Sequence, residues 1–454
     1  MRELQQRPRL DVNEPPAIKP AAMQEAGRLR IALLVYRGNP LCGGQGVYVR
    51  HISRELLNLG HSVEVFSGQP WPILDDGVGF TPVPSLDLYR EPDPFRTPHL
   101  SEIKSFADLL EVLTMWTAGF PEPRTFTLRA RKILRKRMGT YDVVHDNQSL
   151  GSGLLGIVND GWPLLTTFHH PITVDRELAI SHAEGMWQKI STRRWYGFLH
   201  MQARVARRLP RIITVSESSK HDIATQMGVP LERMRVVPVG VDDKVFHPIP
   251  NVRRIPGRIM ATSSSDVPMK GIVPLLEAVA KIRTERDVEL VLVGKPKEGG
   301  RVARTIERLG LESVVRPVSG ISDNELVKLY SEATVGVVPS LYEGFSLPAI
   351  EAMACGVPLV ATTGGAIPEV VGRDGETGLL VKPGSPDELV SAINRIFDDQ
   401  ELAHRLGDAG RRRVLSRFTW QKTAQLTSEQ YYEVIDQKNG SNKSNKRWPL
   451  HANR

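Results

Sequence analysis

Ser340-Leu341-Tyr342-Glu343-Gly344-Phe345-Ser346-Leu347-Pro348-Ala349-Ile350-Glu351-Ala352-Met353-Ala354-Cys355-Gly356 is the stretch whose reading decides the fold. It follows an apolar run, Thr334-Val335-Gly336-Val337-Val338-Pro339, which predicts a buried strand. A loop containing Gly344 comes next. A helix then starts: Ser346 is the candidate N-cap, Pro348 fits the first turn and Gly356 lies just past the end. Glu343 is thereby placed on the loop and Glu351 one turn into the helix. The free backbone N–H groups near Phe345, Ser346 and Leu347 make a helix start of the kind that holds a phosphate. Both carboxylates would flank that pocket.

Outward from this stretch, strand and helix patterns alternate. Ile259-Met260-Ala261-Thr262 reads as a strand, 272–284 as a helix and Glu289-Leu290-Val291-Leu292-Val293 as a strand. A helix near 300–309, a strand near 314–318 and a helix over 323–331 follow. Such units predict a parallel, doubly wound sheet. The first half begins the same way. Leu29-Arg30-Ile31-Ala32-Leu33-Leu34-Val35 reads as a strand and runs into a Gly43-Gly44-Gln45-Gly46 loop and a helix ending at Gly60. His61-Ser62-Val63-Glu64-Val65-Phe66 is the next strand. This βαβ unit sets the glycine loop at the carboxyl end of a strand, where α/β proteins bind ligands. As a dinucleotide fingerprint the loop is poor, because Val49 stands where a third glycine is required.

Residues 69–138 break the alternation. Six prolines, from Pro70 to Pro94, mark an irregular segment, which ends in a basic helical stretch, Leu128-Arg129-Ala130-Arg131-Lys132-Ile133-Leu134-Arg135-Lys136-Arg137. That stretch reads either as a solvated basic face or as part of an acceptor site on an anionic lipid surface. Tyr141-Asp142-Val143-Val144-His145-Asp146 and Leu164-Leu165-Thr166-Thr167 read as strands, with His169 and His170 at the ligand end of the second. One long helix is expected to carry Trp195, Phe198 and Arg204–Arg208 toward Pro210, and Ser216 is the N-cap of the helix after the next strand.

The chain has 454 residues, too many for one typical core. It has 59 basic residues against 51 acidic ones, and a net charge of +8 suits anionic nucleotides or an anionic surface. Neither zinc-knuckle spacing nor an aromatic RNA-binding signature is present, so no nucleic-acid partner is expected. Two distant cysteines, Cys42 and Cys355, make no disulfide framework and fit a reducing compartment. No apolar run reaches membrane-spanning length, and the start lacks a signal-peptide core. A cytoplasmic protein is expected, with peripheral contact at the inner face of the plasma membrane as a further expectation.

Glu343 and Glu351, with seven residues between them, resemble the paired-glutamate motif of the family-four retaining glycosyltransferases. The surrounding block matches too: Pro339-Ser340 before it, then Gly356-Val357-Pro358-Leu359-Val360-Ala361-Thr362 and Gly364-Gly365 after it. The resemblance runs from about residue 29 to residue 436 and implies an α/β protein of GT-B architecture, two Rossmann-like domains facing a central cleft. Expected boundaries are a disordered leader at 1–28, an acceptor domain at 29–246 and a donor domain at 247–420, entered through a linker at 247–257. A helix at 421–437 would cross back to the first domain, before a disordered tail at 438–454.

The resemblance also implies site residues. Lys270, in Pro268-Met269-Lys270-Gly271, matches the lysine that stabilises the departing β-phosphate. His169 matches a histidine that touches the transferred sugar, and both it and His170 can be neutral hydrogen-bond donors near pH 7. Glu343 would face the sugar and Glu351 the ribose. Gly344, Phe345, Ser346 and Leu347 would hold sugar hydroxyls and phosphate, Gly43 and Gly44 would approach the donor phosphates, and Val318 would lie near the base. Two positions depart from the family pattern. Ser264 stands where an arginine usually does, and a hydroxyl cannot replace its bidentate charge. Val239 stands where asparagine is usual. The implied function is transfer of a sugar from a UDP- or GDP-sugar to a carbohydrate, polyol or glycolipid acceptor with α-retention, catalytic residues His169, Lys270 and Glu343, no cofactor and no metal. The alternative is a non-catalytic, hydrolysing or epimerising GT-B nucleotide-sugar-binding protein.

Overall fold

The computed structural model describes residues 27–39, 44–90, 92–173, 176–177, 180, 185–262 and 267–445, the last few by backbone alone. Two units result: Leu29–Val245 with the chain from Val414 onward, and Phe246–Arg413.

The first unit holds a parallel sheet in the order β3-β2-β1-β4-β5-β6-β7. Its strands are β1 (Arg30–Val35), β2 (Ser62–Ser67), β3 (Gly79–Pro82), β4 (Val143–Asn147), β5 (Leu164–Thr167), β6 (Arg211–Thr214) and β7 (Met234–Val236). The second unit repeats the plan as β10-β9-β8-β11-β12-β13. Its strands are β8 (Ile255–Thr262), β9 (Glu289–Val293), β10 (Val315–Val318), β11 (Ala333–Val338), β12 (Leu359–Thr362) and β13 (Leu379–Val381). Every recorded pairing between these strands is parallel.

Helices cover the faces of a parallel sheet, so its central strands read as unbroken apolar runs. Ile31 to Val35 in β1 and Val335 to Val338 in β11 are buried on this account. Each buried isoleucine, leucine or valine side chain among them contributes about 1.5–3 kcal/mol. In both sheets the order reverses beside the first strand: β1 lies between β2 and β4, and β8 lies between β9 and β11. Loops leaving the carboxyl ends of two such neighbours diverge and leave a crevice, the usual ligand position in open α/β sheets.

The helix Trp420–Asn445 closes the first unit. Val241 donates its backbone N–H to Phe418 (2.8 Å) as the chain arrives. Along the helix, Ser428 Oγ bonds His61 Nε2 (2.8 Å), and Tyr431 Oη bonds the buried His145 Nδ1 (2.7 Å). The other nitrogen of His145 meets Thr167 Oγ1 (2.7 Å), so the helix is keyed into β4 and β5.

Several expectations are corrected. Segment 69–138 contains β3 and the helices Phe106–Trp116 and Glu122–Lys136. The first of these helices was hidden because its apolar residues lie on both faces: Val112 and Met115 are buried, whereas Phe106, Leu113 and Trp116 are exposed. The basic stretch at its end is not simply a solvated face. Arg129 pairs with Asp108 and Glu111, Arg131 with Asp160 and Arg137 with Glu64. The single helix expected before Pro210 is two, Met186–Trp195 and Phe198–Ala206, interrupted at Tyr196-Gly197, since glycine is a weak helix former. Strand β8 starts inside the expected linker, the second unit ends at Arg413 rather than 420, and the last helix runs from Trp420 to Asn445, past the 438 at which a disordered tail was expected. Of the leader expected at 1–28, residues 1–26 lie outside the described residues.

Tyr431→Phe removes the hydroxyl partner of a buried imidazole and should destabilise the first unit by about 1–3 kcal/mol in urea unfolding. An unchanged midpoint would show that this bond does not hold the terminal helix.

Candidate active site

In the unit Phe246–Arg413, the loops after the neighbours β8 and β11 touch backbone to backbone. A short turn, Pro268–Lys270, ends at Gly271 with φ of +64°. A side chain there would run into the carbonyl of Pro339, so glycine is required both by conformation and by contact. Two residues beyond Pro339, Leu341 donates its N–H to Met269 O (2.7 Å). This close approach delivers Lys270 Nζ to 2.8 Å from Glu343 Oε1. Ser340 Oγ donates to the same oxygen (2.7 Å), and the Glu343 carbonyl accepts from Ala366 N–H (2.8 Å). Lys270 stays partly exposed. An ammonium has three donors, so Glu343 leaves it capacity for an anion.

The helix Leu347–Ala354 starts at Ser346 as expected, but Ser346 does not cap it with its side chain. Its Oγ is buried without a hydrogen-bond partner. Pro348 sits in the first turn, and Gly356 closes the end with φ of +68°. The side chains of Phe345 and Leu347 are half-buried, as is Gly344. Glu351 is a residue of intermediate exposure whose Oε2 accepts from Tyr330 Oη (3.3 Å). Burial pushes its pKa up to about 7, an effect that the Tyr330 hydrogen bond partly offsets. Val318 ends β10, at the same carboxyl edge of the sheet but on its outer strand. Ser264 and Gly43 lie outside the described residues.

In the first unit, the corresponding crevice is bounded by the start of the helix Gly44–Asn58 after β1 and by the loop after β4. His169 follows β5 there. Its Nε2 lies 2.9 Å from Asn147 Oδ1, and its backbone N–H donates to Gln148 Oε1 (2.7 Å). Gln148 Nε2 returns a bond to the His170 carbonyl (3.1 Å), and the Tyr48 ring meets the His169 ring edge-on at 4.8 Å. Burial lowers the His169 pKa to about 3, and His170 pushes it the same way. The imidazole is therefore neutral at pH 7. Its Nε2 is engaged by Asn147. Asp146, whose side chain points to the opposite face of β4 from Asn147, has its pKa raised to about 7 by burial and is bonded by Ser149 and by the Leu150 N–H.

Sequence reasoning missed Ser340, Tyr330, Asn147 and Gln148. The signal for the last two was their position, polar side chains at the end of a buried strand and just beyond it. Among the described residues, no group of three or more His, Cys, Asp or Glu is placed to hold a metal ion, and no helix is long and apolar enough to cross a membrane.

Two parallel Rossmann-type sheets, each with polar side chains gathered at its switch point, are the fold of the GT-B glycosyltransferases. The family model for Glycosyltransferase Family 4 matches residues 42–245, and that for Glycosyl transferases group 1 matches 250–413. The MMP alpha-(1->4)-mannosyltransferase of Mycolicibacterium hassiacum is 56% identical over 408 residues, covering 90% of this chain and 98% of that protein. A D-inositol 3-phosphate glycosyltransferase of Streptomyces bingchenggensis is 28% identical, covering 89% and 90% of the two chains. Among solved structures, sucrose-phosphate synthase from Thermosynechococcus elongatus superposes with a TM-score of 0.67 at 25% identity, over 90% of this chain and 100% of that one. Anabaena HepE, solved with UDP and glucose, shares the fold with a TM-score of 0.63 at 19% identity, over 89% and 100%. The chain belongs to glycosyltransferase family 4. It is a retaining hexosyltransferase that forms α-glycosidic bonds.

Gly271→Ala should destabilise the second unit by about 1–3 kcal/mol through backbone strain, read as a lowered unfolding midpoint. Parental stability would show that the loops after β8 and β11 can separate freely.

Proposed function

We propose that the protein transfers an α-mannosyl residue from a nucleoside-diphosphate mannose to the 4-hydroxyl of a mannoside acceptor. The sugar and linkage are suggested by the name of the relative that is 56% identical over nearly its whole length. The observation that carries the assignment of the site is the convergence of Lys270 and Ser340 on Glu343, with the unpartnered Ser346 Oγ at the start of the helix that bears Glu351.

In this reading the Lys270 ammonium and the N–H groups of Phe345, Ser346 and Leu347 stabilise the charge on the departing β-phosphate. Glu343 orients the sugar, and Ser346 Oγ gains its partner from the donor. The bond from the anomeric carbon to the phosphate oxygen breaks as the acceptor oxygen bonds on the same face. The acceptor's proton passes to the leaving phosphate. Within the same unit Val318 lies beside the base; in the other unit Gly44 is read as a phosphate contact and His169 as a contact of a sugar hydroxyl. No metal takes part.

Glu351 accepts from the ribose hydroxyls, so its ionised form is the one that binds. Because burial raises its pKa to about 7, acid leaves it protonated and a poorer acceptor. The donor KM should therefore fall as pH rises from about 6 to about 8, and Glu351→Gln should abolish that trend. A trend unchanged in the variant would remove Glu351 from the ribose.

The nucleotide is tested by thermal shift against UDP-, GDP- and ADP-mannose without metal. One of them, UDP or GDP, should raise the midpoint, and Lys270→Ala should lose most of the shift. No shift with any of the three would overturn the reading of the donor site.

A peripheral membrane contact has its own support. Phe106, Leu113 and Trp116 are 73%, 50% and 63% exposed along one helix. Arg194 bonds Thr117 Oγ1 (2.9 Å) and joins that helix to Met186–Trp195, where Met186 and Trp187 are exposed beside Lys189 and Arg193. Apolar and cationic side chains together suit an anionic interface. Sedimentation with anionic but not zwitterionic vesicles, lost in a Phe106→Ser/Trp116→Ser double variant, is the expected result; no sedimentation would exclude it.

A further inference from the structure

The end of β4 and the residue after it carry a clamp on His169 that none of the motifs includes. Asn147 is fully buried. Its Nδ2 donates to the carbonyl of Gln45 (3.3 Å), in the first turn of the helix that follows the glycine loop. A side-chain amide has one donor end and one acceptor end. With Nδ2 turned to Gln45 O, the end facing His169 Nε2 at 2.9 Å is Oδ1, an acceptor. Nε2 must then carry the proton, and Nδ1 keeps the lone pair. The backbone of the histidine is held as well, because Gln148 accepts from the His169 N–H and donates to the His170 carbonyl.

We propose that Asn147 is a positioning residue that locks His169 in the Nε2–H tautomer and ties the ring to the glycine loop, so that Nδ1 is presented as an acceptor for a hydroxyl of the transferred sugar. The inference rests on the reading of His169 as a sugar contact, but the tautomer lock stands on its own geometry. A family pattern that marks the histidine alone leaves this unexplained: a neutral imidazole has two tautomers of similar energy, and a hydroxyl donor is received by only one of them. Burial excludes the imidazolium, which could not accept at either nitrogen. Among the described residues, the titratable groups beside the ring are His145 from β4, His170 from the adjoining loop and Tyr48 from the helix Gly44–Asn58, while Asp146, next to His145 in β4, points to the opposite face of the sheet. His145 is itself neutral and bonded at both nitrogens, and Asp146 is engaged by Ser149 and Leu150. Asn147 is thus the neighbour that sets the proton's place.

The test is nitrogen-15 spectroscopy of the full chain with labelled histidine, His169 being assigned by difference from His169→Gln, combined with steady-state kinetics. In the parent, His169 should show one Nε2–H tautomer and no titration between about pH 5 and 8, since its charged form is disfavoured by burial. Asn147→Ala should give a mixture of tautomers. Its kcat should fall by about tenfold or more from misplacement of the ring, with little change in donor KM. Asn147→Asp is nearly isosteric and guards against a folding defect. Its carboxylate still accepts from Nε2, so the single tautomer should persist, but the new negative charge should bring the imidazole's titration up toward neutral pH. A single, non-titrating Nε2–H signal that survives in both variants overturns the inference, whatever the activity. The tautomer change in Asn147→Ala supports the lock even in a protein that transfers no sugar, so failure of the functional reading and failure of the lock are separable.

Discussion

The contact between Gly271 and the Pro339 carbonyl is the constraint on which the second unit's site depends. Two neighbouring parallel strands send their loops in different directions at a switch point, and long side chains on those loops would ordinarily diverge. Here the loops are forced together where no Cβ fits. Lysine and glutamate from positions 270 and 343 consequently meet at 2.8 Å. The ion pair is an outcome of backbone packing, and the partial exposure of the lysine means that the pair itself contributes only modestly to stability. Its value is positional: a cation is held beside a helix start with a polar side chain still lacking a partner.

The first unit solves a similar problem with side chains. Its switch point also lies between the first strand and the fourth, yet among the described residues no close glycine contact joins the loops there. Asn147 bridges them instead, from Gln45 on one side to His169 on the other. Behind it, Tyr431, His145, Thr167 and Tyr48 form a buried chain of hydrogen bonds that anchors the terminal helix to the same strands. Both neutral histidines in this region are kept uncharged by burial. A polar interior of this kind is sustained only when its members are satisfied, and here nearly every ring nitrogen and hydroxyl in the chain has a named partner.

Much of this architecture was legible in the sequence because strands such as β1 and β11 are apolar on both faces and are bounded by glycine and proline. The 340–356 stretch was legible for a different reason: its chemistry is local, with both glutamates, the serine and the helix start lying within one loop and one helix. The clamp on His169 was not legible, since Asn147 and Gln45 are 102 residues apart and the amide's orientation is set by that distant carbonyl. The helix Phe106–Trp116 escaped notice because its exposed face is as apolar as its buried one, which erases the period that reveals a helix. The helical continuation to Asn445 was concealed by a polar composition that suggests disorder.

The central claim, retaining transfer of a mannosyl residue, is tested most directly on the product. The protein should be incubated with an α-linked nucleoside-diphosphate mannose and a mannoside acceptor, and the one-bond carbon–proton coupling measured at the new anomeric centre. The account predicts an α-configured disaccharide linked through the 4-hydroxyl, formed only with acceptor present. A β-configured product, or release of mannose at the same rate without acceptor, would contradict it.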